Sequence, residues 1–137
     1  MGFGDAVRTC FQKYAKFEGR AARPEFWWFY LFAIIVSLVV MMPGYLLMIA
    51  GGVNTSDGQT PGALFWIGVV LLIVGSLLQL ALIIPQLSVG CRRLHDRGQS
   101  GWLQLLMLIP CGSLVLLVFW LMEGTPGDNA YGPQPTT

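Results

Sequence analysis

The chain has 137 residues, of which 55% are hydrophobic and only 11% are charged, whereas a soluble domain carries about 25% charged residues. Asp, Glu, Lys, Arg and His are absent from 26–52, 58–90 and 98–122. Each run exceeds the roughly 18 apolar residues of a membrane-spanning candidate, so the composition excludes an ordinary soluble domain. We predict an all-α membrane protein, with 1–137 forming a single membrane domain.

The N-terminal residues 3–18 carry an apolar stripe at helical spacing, with basic residues elsewhere on the helical wheel. Its members are Phe3, Val7, Phe11, Tyr14 and Phe17. This pattern predicts an amphipathic helix lying in the headgroup layer, where basic residues gain from anionic lipid. A helix packed on the protein's own loops is the alternative. Gly19 is the expected helix end.

The first predicted crossing covers 25–48. Pro24 suits the first turn of a helix, and Trp27 and Trp28 stand where an interfacial aromatic belt belongs. The stretch 51–62 is rich in turn residues and predicts a short loop on the opposite side of the membrane. The second crossing follows at 63–86, and its helix is expected to continue into the sequence "CRRLHD".

The third predicted crossing covers 101–122. Gly98 is a plausible stop for the preceding helix, and Ser100 is a plausible N-cap for this one. The alternative is that Pro110 breaks the segment into a re-entrant hairpin, which would return the tail to the side it came from. The Gly- and Pro-rich tail 123–137 is predicted to be disordered.

The orientation follows from the eight basic residues. Five precede the first crossing and three lie between the second and third, whereas the 51–62 loop and the tail have none. The positive-inside rule therefore predicts that the N-terminus and the 87–100 loop are cytoplasmic and that the tail lies outside.

The sequence "CRRLHDRGQSGW" at 91–102 concentrates the polar chemistry. Helical spacing allows Asp96 to pair with Arg92 or with Arg93. Glu25, on the same predicted side, could pair with an arginine of the loop, so that this loop and "GRAARPE" form one polar layer. Arg93 and Arg97 share a helix face and repel each other unless an anion such as a lipid phosphate lies between them.

We therefore predict that the polar layer contacts anionic lipid headgroups. The residues assigned to this layer are Arg20, Arg23, Glu25, Arg92, Arg93, His95, Asp96, Arg97 and Trp102.

Catalytic, metal and cofactor sites are not expected. The neighbouring His95 and Asp96 lack a nucleophile at a recognisable spacing, although Cys91 and Ser100 are near in sequence. The three cysteines are far apart, no C-x-x-C occurs, and there is one histidine, which gives a zinc site weak support. We predict a non-enzymatic protein with no nucleic-acid partner.

Two glutamines, Gln79 and Gln104, lie inside predicted spans, where an amide seeks an interhelical hydrogen bond. Helix packing is the simpler role for them, and a solute pathway is the other. Apart from Glu25 at the start of the first crossing, no charged residue lies inside a span, which disfavours ion-coupled transport. An oligomeric channel or transporter for an uncharged solute stays open as the alternative function.

Three stretches together resemble the domain-of-unknown-function 805 family of small bacterial inner-membrane proteins. They are "FEGRAARPEFWWFYLF" at 17–32, "CRRLHDRGQSGW" at 91–102 with Pro110 after it, and "EGTPGDNAYGPQP" at 123–135. The resemblance implies a bacterial cytoplasmic-membrane location and a helical bundle, and it implies no activity. The matching positions are Gly19, Arg20, Arg23, Glu25, Trp27, Arg92, Arg93, Leu94, His95, Asp96, Gly98, Ser100, Gly101, Trp102, Asn129, Tyr131 and Gly132.

The charge rule and the third stretch conflict. "GDNAYGP" has the composition of a specific extramembrane element, yet the rule assigns it to the side opposite the other two stretches. Either the tail makes its own contacts outside or the third crossing is not a crossing. Function is expected to be that of an accessory or scaffold protein, with anionic lipid, a second copy or another membrane protein as partner.

Overall fold

The computed structural model describes residues 1–52 and 60–135, and within them the chain is all-helical, as predicted. The only β pairing there is an isolated bridge between Asn129 and Gly132. The helices are α1 (Phe3–Gln12), α2 (Arg23–Ala50), α3 (Ala63–Asp96), a 3₁₀ helix (Gly101–Leu108) and α4 (Gly112–Leu121). Most of the predicted 51–62 loop, residues 53–59, lies outside the described residues.

Helices α2 and α3 are long and apolar enough to cross a membrane. They contain 28 and 34 residues, with mean hydropathies of 2.4 and 2.8 in their most apolar windows. At 1.5 Å per residue they extend about 42 and 51 Å, more than the roughly 30 Å of a hydrocarbon core. The predicted spans 25–48 and 63–86 fall inside them, and α3 continues to Asp96 as expected.

The described chain divides into two compact units. The described residues of Met1–Leu31 and Ile83–Thr137 form one, called the polar unit here because it holds all eight basic residues. Those of Phe32–Leu82 form the second, the apolar unit, which has no charged side chain among its described residues. Helices α2 and α3 contribute to both.

Glycines bring α2 and α3 close together inside the apolar unit. A Cβ added to Gly68 would stand 2.6 Å from the Gly44 carbonyl oxygen, and one added to Gly44 would stand 2.8 Å from Leu72 Cγ. Small residues permit this close backbone approach in membrane helix pairs. Large apolar side chains such as Val39 and Leu77 remain on its surface.

The prediction of one continuous helix over 101–122 is wrong. The 3₁₀ helix ends at Leu108, Cys111 adopts a left-handed φ of 65°, and α4 starts at Gly112. Pro110 explains the break, because proline lacks an N–H and disfavours helical backbone at the residue before it. A Cβ on Gly112 would stand 1.8 Å from the Leu106 carbonyl oxygen, so the chain reverses tightly here.

The two pieces on either side of this break pack against each other. The 3₁₀ helix of 8 residues and α4 of 10 residues extend only about 16 Å and 15 Å respectively. Neither is long enough to cross a hydrocarbon core of roughly 30 Å.

Helix α1 is shorter than the predicted 3–18 and ends at Gln12, so Gly19 lies in the following loop with a φ of 89° rather than at the helix end. The helix packs on the first turns of α2. The Phe3 ring meets the Trp28 ring edge-to-face at a centroid distance of 5.8 Å, and Phe11 meets Phe29 at 5.7 Å.

Candidate functional site

The centre of the polar unit is a buried carboxylate held between two arginines. Asp96 Oδ1 accepts hydrogen bonds from Arg20 Nε at 2.9 Å and pairs with Arg20 Nη2 at 2.8 Å. Its Oδ2 pairs with Arg93 Nη1. The side chains of Arg20 and Arg93 are only 1% exposed. An ion pair this well buried is screened little by salt.

A second buried pair joins α2 to α3. Arg92 Nη1 donates to Glu25 Oε1, and the two side chains are 1% and 4% exposed. Glu25 stands in the first turn of α2, where the helix dipole favours an anion. Burial, with a smaller contribution from the Glu25 charge, raises the pKa of the adjacent Cys10 thiol to about 12.

The tail covers this cluster and is not disordered over 123–135. Arg20 Nη1 donates to the Gly127 carbonyl and Nη2 to the Thr125 carbonyl, both at 2.6 Å. The Thr125 amide donates to the Asp96 carbonyl at 2.8 Å. The tail thus contacts the other two polar stretches directly, which does not fit the predicted placement across the membrane from them; the side of the membrane on which it lies stays a prediction.

The single histidine is fixed on three sides. His95 Nδ1 lies 3.0 Å from the Gly19 carbonyl oxygen, and Nε2 lies 3.6 Å from Cys91 Sγ. Its ring stacks on Tyr131 with a centroid distance of 4.0 Å and an interplanar angle of 3°. The Asn129 side chain donates to the His95 carbonyl at 2.9 Å. Through Tyr131 and Asn129, the tail packs against the C-terminal end of α3.

The turn after α3 follows the predicted chemistry. Gly98 adopts a φ of 73°, which glycine permits without steric cost. The Ser100 hydroxyl accepts a hydrogen bond from the Trp102 amide at 3.3 Å and caps the following helix, which is 3₁₀. Both turn predictions are confirmed.

Comparison with known proteins identifies the family. The family model described as "Protein of unknown function (DUF805)" matches residues 14–133. The chain belongs to the DUF805 family. In this DUF805 protein the stretches 17–32 and 91–102 lie inside the matched residues, and the stretch 123–135 extends two residues past them.

Two similar proteins from Escherichia coli strain K12 are named for their location. Inner membrane protein YhaH is 38% identical over 125 residues, covering 90% of this chain and 90% of its own length. Inner membrane protein YhaI is 36% identical over 125 residues, covering 90% and 89%. No solved structure matches the chain. The apolar α2 and α3 and these relatives make this DUF805 chain an integral inner-membrane protein of unknown activity.

The nine predicted headgroup residues separate into two groups. Five are buried and bonded within the protein: Arg20, Glu25, Arg92, Arg93 and Asp96. Of the outer residues, Arg23 forms an exposed pair with Glu123 at 3.2 Å, and Trp102 is 80% exposed. Of the two arginines offered as partners of Asp96, Arg93 forms the pair, and the loop arginine that pairs with Glu25 is Arg92. Headgroup contact stays a prediction, and the burial of the five favours a structural role for them.

The two span glutamines have different surroundings. Gln104 Nε2 donates to the Leu87 carbonyl at 3.0 Å and lies against Gly90, where an added Cβ would stand 2.3 Å from it. Gln104 therefore packs the 3₁₀ helix on α3. Gln79 Nε2 is buried and has no hydrogen-bond partner among residues 1–52 and 60–135.

The sequence reasoning missed the juxtaposition of Cys91 with His95. The two are four residues apart on α3 and therefore share a helix face, which is the signal that could have shown it. The described part of the chain contains no group of three or more His, Cys, Asp or Glu that could hold a metal ion.

Proposed function

We propose that this protein is a non-enzymatic accessory or scaffold protein of the bacterial cytoplasmic membrane. The observation that carries this proposal is the internal use of the polar motif: Arg20, Arg93 and Asp96 are nearly sealed from solvent and bonded to one another. A reaction centre needs a group left free for substrate. Charges bonded in this way instead build a rigid platform.

The membrane arrangement we propose has two crossings and one re-entrant segment. Helices α2 and α3 cross, while the 3₁₀ helix and α4 enter and leave on the same side. The lengths of these helices support this arrangement, as do the hydrogen bonds from Arg20 to the tail carbonyls.

The orientation we propose has the N-terminus, the turn after α3 and the tail together in the cytoplasm. All eight basic residues belong to the polar unit, and the positive-inside rule assigns them to the cytoplasmic side. This differs from the sequence-based orientation only in the tail, which follows the groups it is bonded to.

The proposed partner of the platform is anionic lipid, bound by the basic residues that the buried cluster does not use. Arg8, Lys16 and Arg23 are exposed, and Lys13 and Arg97 are half-buried. Each basic residue near an anionic surface contributes about 1 kcal/mol of binding free energy. Three of them therefore account for roughly a hundredfold in affinity.

Native mass spectrometry of the protein extracted gently from its own membrane tests this proposal. The variant Arg8→Gln/Lys16→Gln/Arg23→Gln should lose its bound anionic phospholipid. The matched control Arg8→Lys/Arg23→Lys, which keeps the charge, should retain it. Equal lipid retention in both variants would exclude Arg8, Lys16 and Arg23 as the lipid-binding residues. The measured mass also gives the oligomeric state.

An oligomeric channel or transporter for an uncharged solute is the second candidate, and Gln79 is the observation that favours it. A buried amide nitrogen without a partner among the described residues costs free energy unless another copy or a solute satisfies it. Solute flux into liposomes that Gln79→Leu abolishes would support this candidate. Absence of flux in the wild type would exclude it.

A further inference from the structure

A cavity of about 730 Å³ lies beside His95 in the polar unit. Its walls are mainly apolar and include Leu87, Leu105 and Met107. Trp102 and Leu108, which also line it, are 80% and 82% exposed, so the cavity adjoins an apolar outer surface. Its volume is within the range of about 300–1,000 Å³ that is typical of ligand pockets.

A thiol and an imidazole, those of Cys91 and His95, line the same cavity. Cys91 Sγ and His95 Nε2 are 3.6 Å apart. The Gly19 carbonyl, 3.0 Å from His95 Nδ1, can only accept a hydrogen bond. In the neutral imidazole Nδ1 therefore carries the proton, and Nε2 presents its lone pair to the thiol.

This arrangement contains the three parts of an activated nucleophile: a thiol, a base within reach of it, and a group that orients the base. Tyr131, stacked on the imidazole, holds the ring plane. Gly101 packs directly on the thiol, and a Cβ there would stand only 2.1 Å from Cys91 Sγ, so only glycine fits beside it. The Cys91 thiol can alternatively donate to the Phe17 carbonyl at 3.6 Å.

We propose that Cys91 is an acylation site, which takes a long-chain acyl group from an acyl thioester while His95 acts as general base. His95 Nε2 accepts the thiol proton as Cys91 Sγ attacks the acyl carbonyl carbon. The bond from that carbon to the donor's sulfur then breaks, and the donor leaves as a thiol with the proton from His95. One thioester is exchanged for another, so no oxidant or reductant is needed.

The apolar walls select the class of acyl group. Each methylene of a bound chain that leaves water for such walls contributes favourably to binding. Hydrophilic acyl donors lack this contribution and would leave the walls unfilled. The exchange occurs once per chain, so Cys91 is a lipid-modification site that adds an anchor to the platform and not a site of turnover.

Palmitoyl-coenzyme A is the probe for the test, with the full-length protein in lipid nanodiscs. Intact mass should show one added palmitoyl group, peptide mapping should locate it on Cys91, and neutral hydroxylamine should remove it. The nearly isosteric Cys91→Ser should lose this hydroxylamine-sensitive adduct. The matched control Cys111→Ser should keep it, since Cys111 does not line the cavity.

His95→Gln tests the base. At pH 7 its acylation rate should fall by about a hundredfold or more, and it should approach the wild-type rate once the pH exceeds the pKa of the Cys91 thiol itself. A misfolded variant would not recover in this way. The other titratable or charged groups near Cys91 are Glu18 and Tyr131 of the cavity wall and Arg92 of α3. All three are present in both proteins, so their effect on the thiol cancels when the two rates are compared at one pH.

Three results would overturn the proposal. The first is equal labelling of Cys111, which would indicate unselective chemical acylation. The second is an unchanged rate for His95→Gln at pH 7. The third is palmitate that binds without forming a bond to the protein.

Discussion

Replacing Asp96 with asparagine tests whether the buried cluster holds the polar unit together. Asp96→Asn keeps the shape of the side chain but removes the charge that both Arg20 and Arg93 face. The two guanidinium groups, each 1% exposed, would then be buried without a carboxylate. Breaking a buried pair in this way costs about 3–5 kcal/mol, so we expect the free energy of unfolding to fall by that amount.

The matched control is Glu123→Gln, which removes the same kind of charge from an exposed pair. Arg23 and Glu123 are 47% and 83% exposed, and such pairs contribute about 0–1 kcal/mol. Both variants would be unfolded by titration with SDS in mixed micelles and followed by far-ultraviolet circular dichroism. If Asp96→Asn cost no more than Glu123→Gln, the assignment of a structural role to the cluster would be refuted.

Three further predictions concern single positions in the same unit. Gly124→Ala should destabilise the fold by about 1–3 kcal/mol, because the new Cβ would stand 2.0 Å from Asp96 Oδ2, whereas Gly4→Ala has open space and should cost little in the same titration. At pH 8, iodoacetamide should modify Cys10 about a thousandfold more slowly in the folded protein than in SDS, because a pKa raised from 9.0 to about 12 lowers the thiolate fraction. Rapid labelling of the folded protein at pH 8 would contradict this. The same shift makes the contribution of the neutral thiol to the free energy of unfolding complete below pH 9, and this contribution is lost as the pH rises toward 12. A fluorescent-protein fusion after the tail should fluoresce in cells and an alkaline phosphatase fusion should be inactive, and the opposite pair of results would show that the tail lies outside.

The two long helices could be predicted from the sequence because the length of the uncharged apolar run alone indicates them. A run without charged residues that is longer than a bilayer is thick has few alternatives to a membrane helix. The turn after α3 could also be predicted from the sequence. Gly98 and Ser100 act through their own backbone freedom and hydroxyl group, and neither depends on a distant partner.

The third apolar run could not be assigned from hydropathy, which measures composition and not continuity. The break at Ile109–Cys111 depends on Pro110 acting together with a left-handed Cys111 and the close return of Gly112. The sequence raised this break as an alternative, but a membrane helix often tolerates proline. Tertiary contacts of the two short pieces decided between the outcomes.

The tail was mispredicted because its order is not local. Its glycines and prolines form no regular helix or strand that could stabilise it alone. Its carbonyls are ordered by Arg20, which lies 105 residues before Thr125 and 107 before Gly127. A pairing of Glu25 with an arginine of the 91–102 loop was expected, whereas the contact of the tail with the cluster depends on residues more than 100 positions away.

The cluster explains why the three polar stretches occur together in one chain. Arg20 comes from the first, Asp96 from the second and Thr125 from the third, and each bonds to the other two. Buried charges are a weak source of stability compared with apolar packing, but unpaired they are costly. Wrong arrangements of the stretches would leave Arg20 or Asp96 buried and unpaired, so the cluster selects one arrangement. That selection holds the tail against the first two stretches, and it also fixes Tyr131 against the imidazole that faces Cys91.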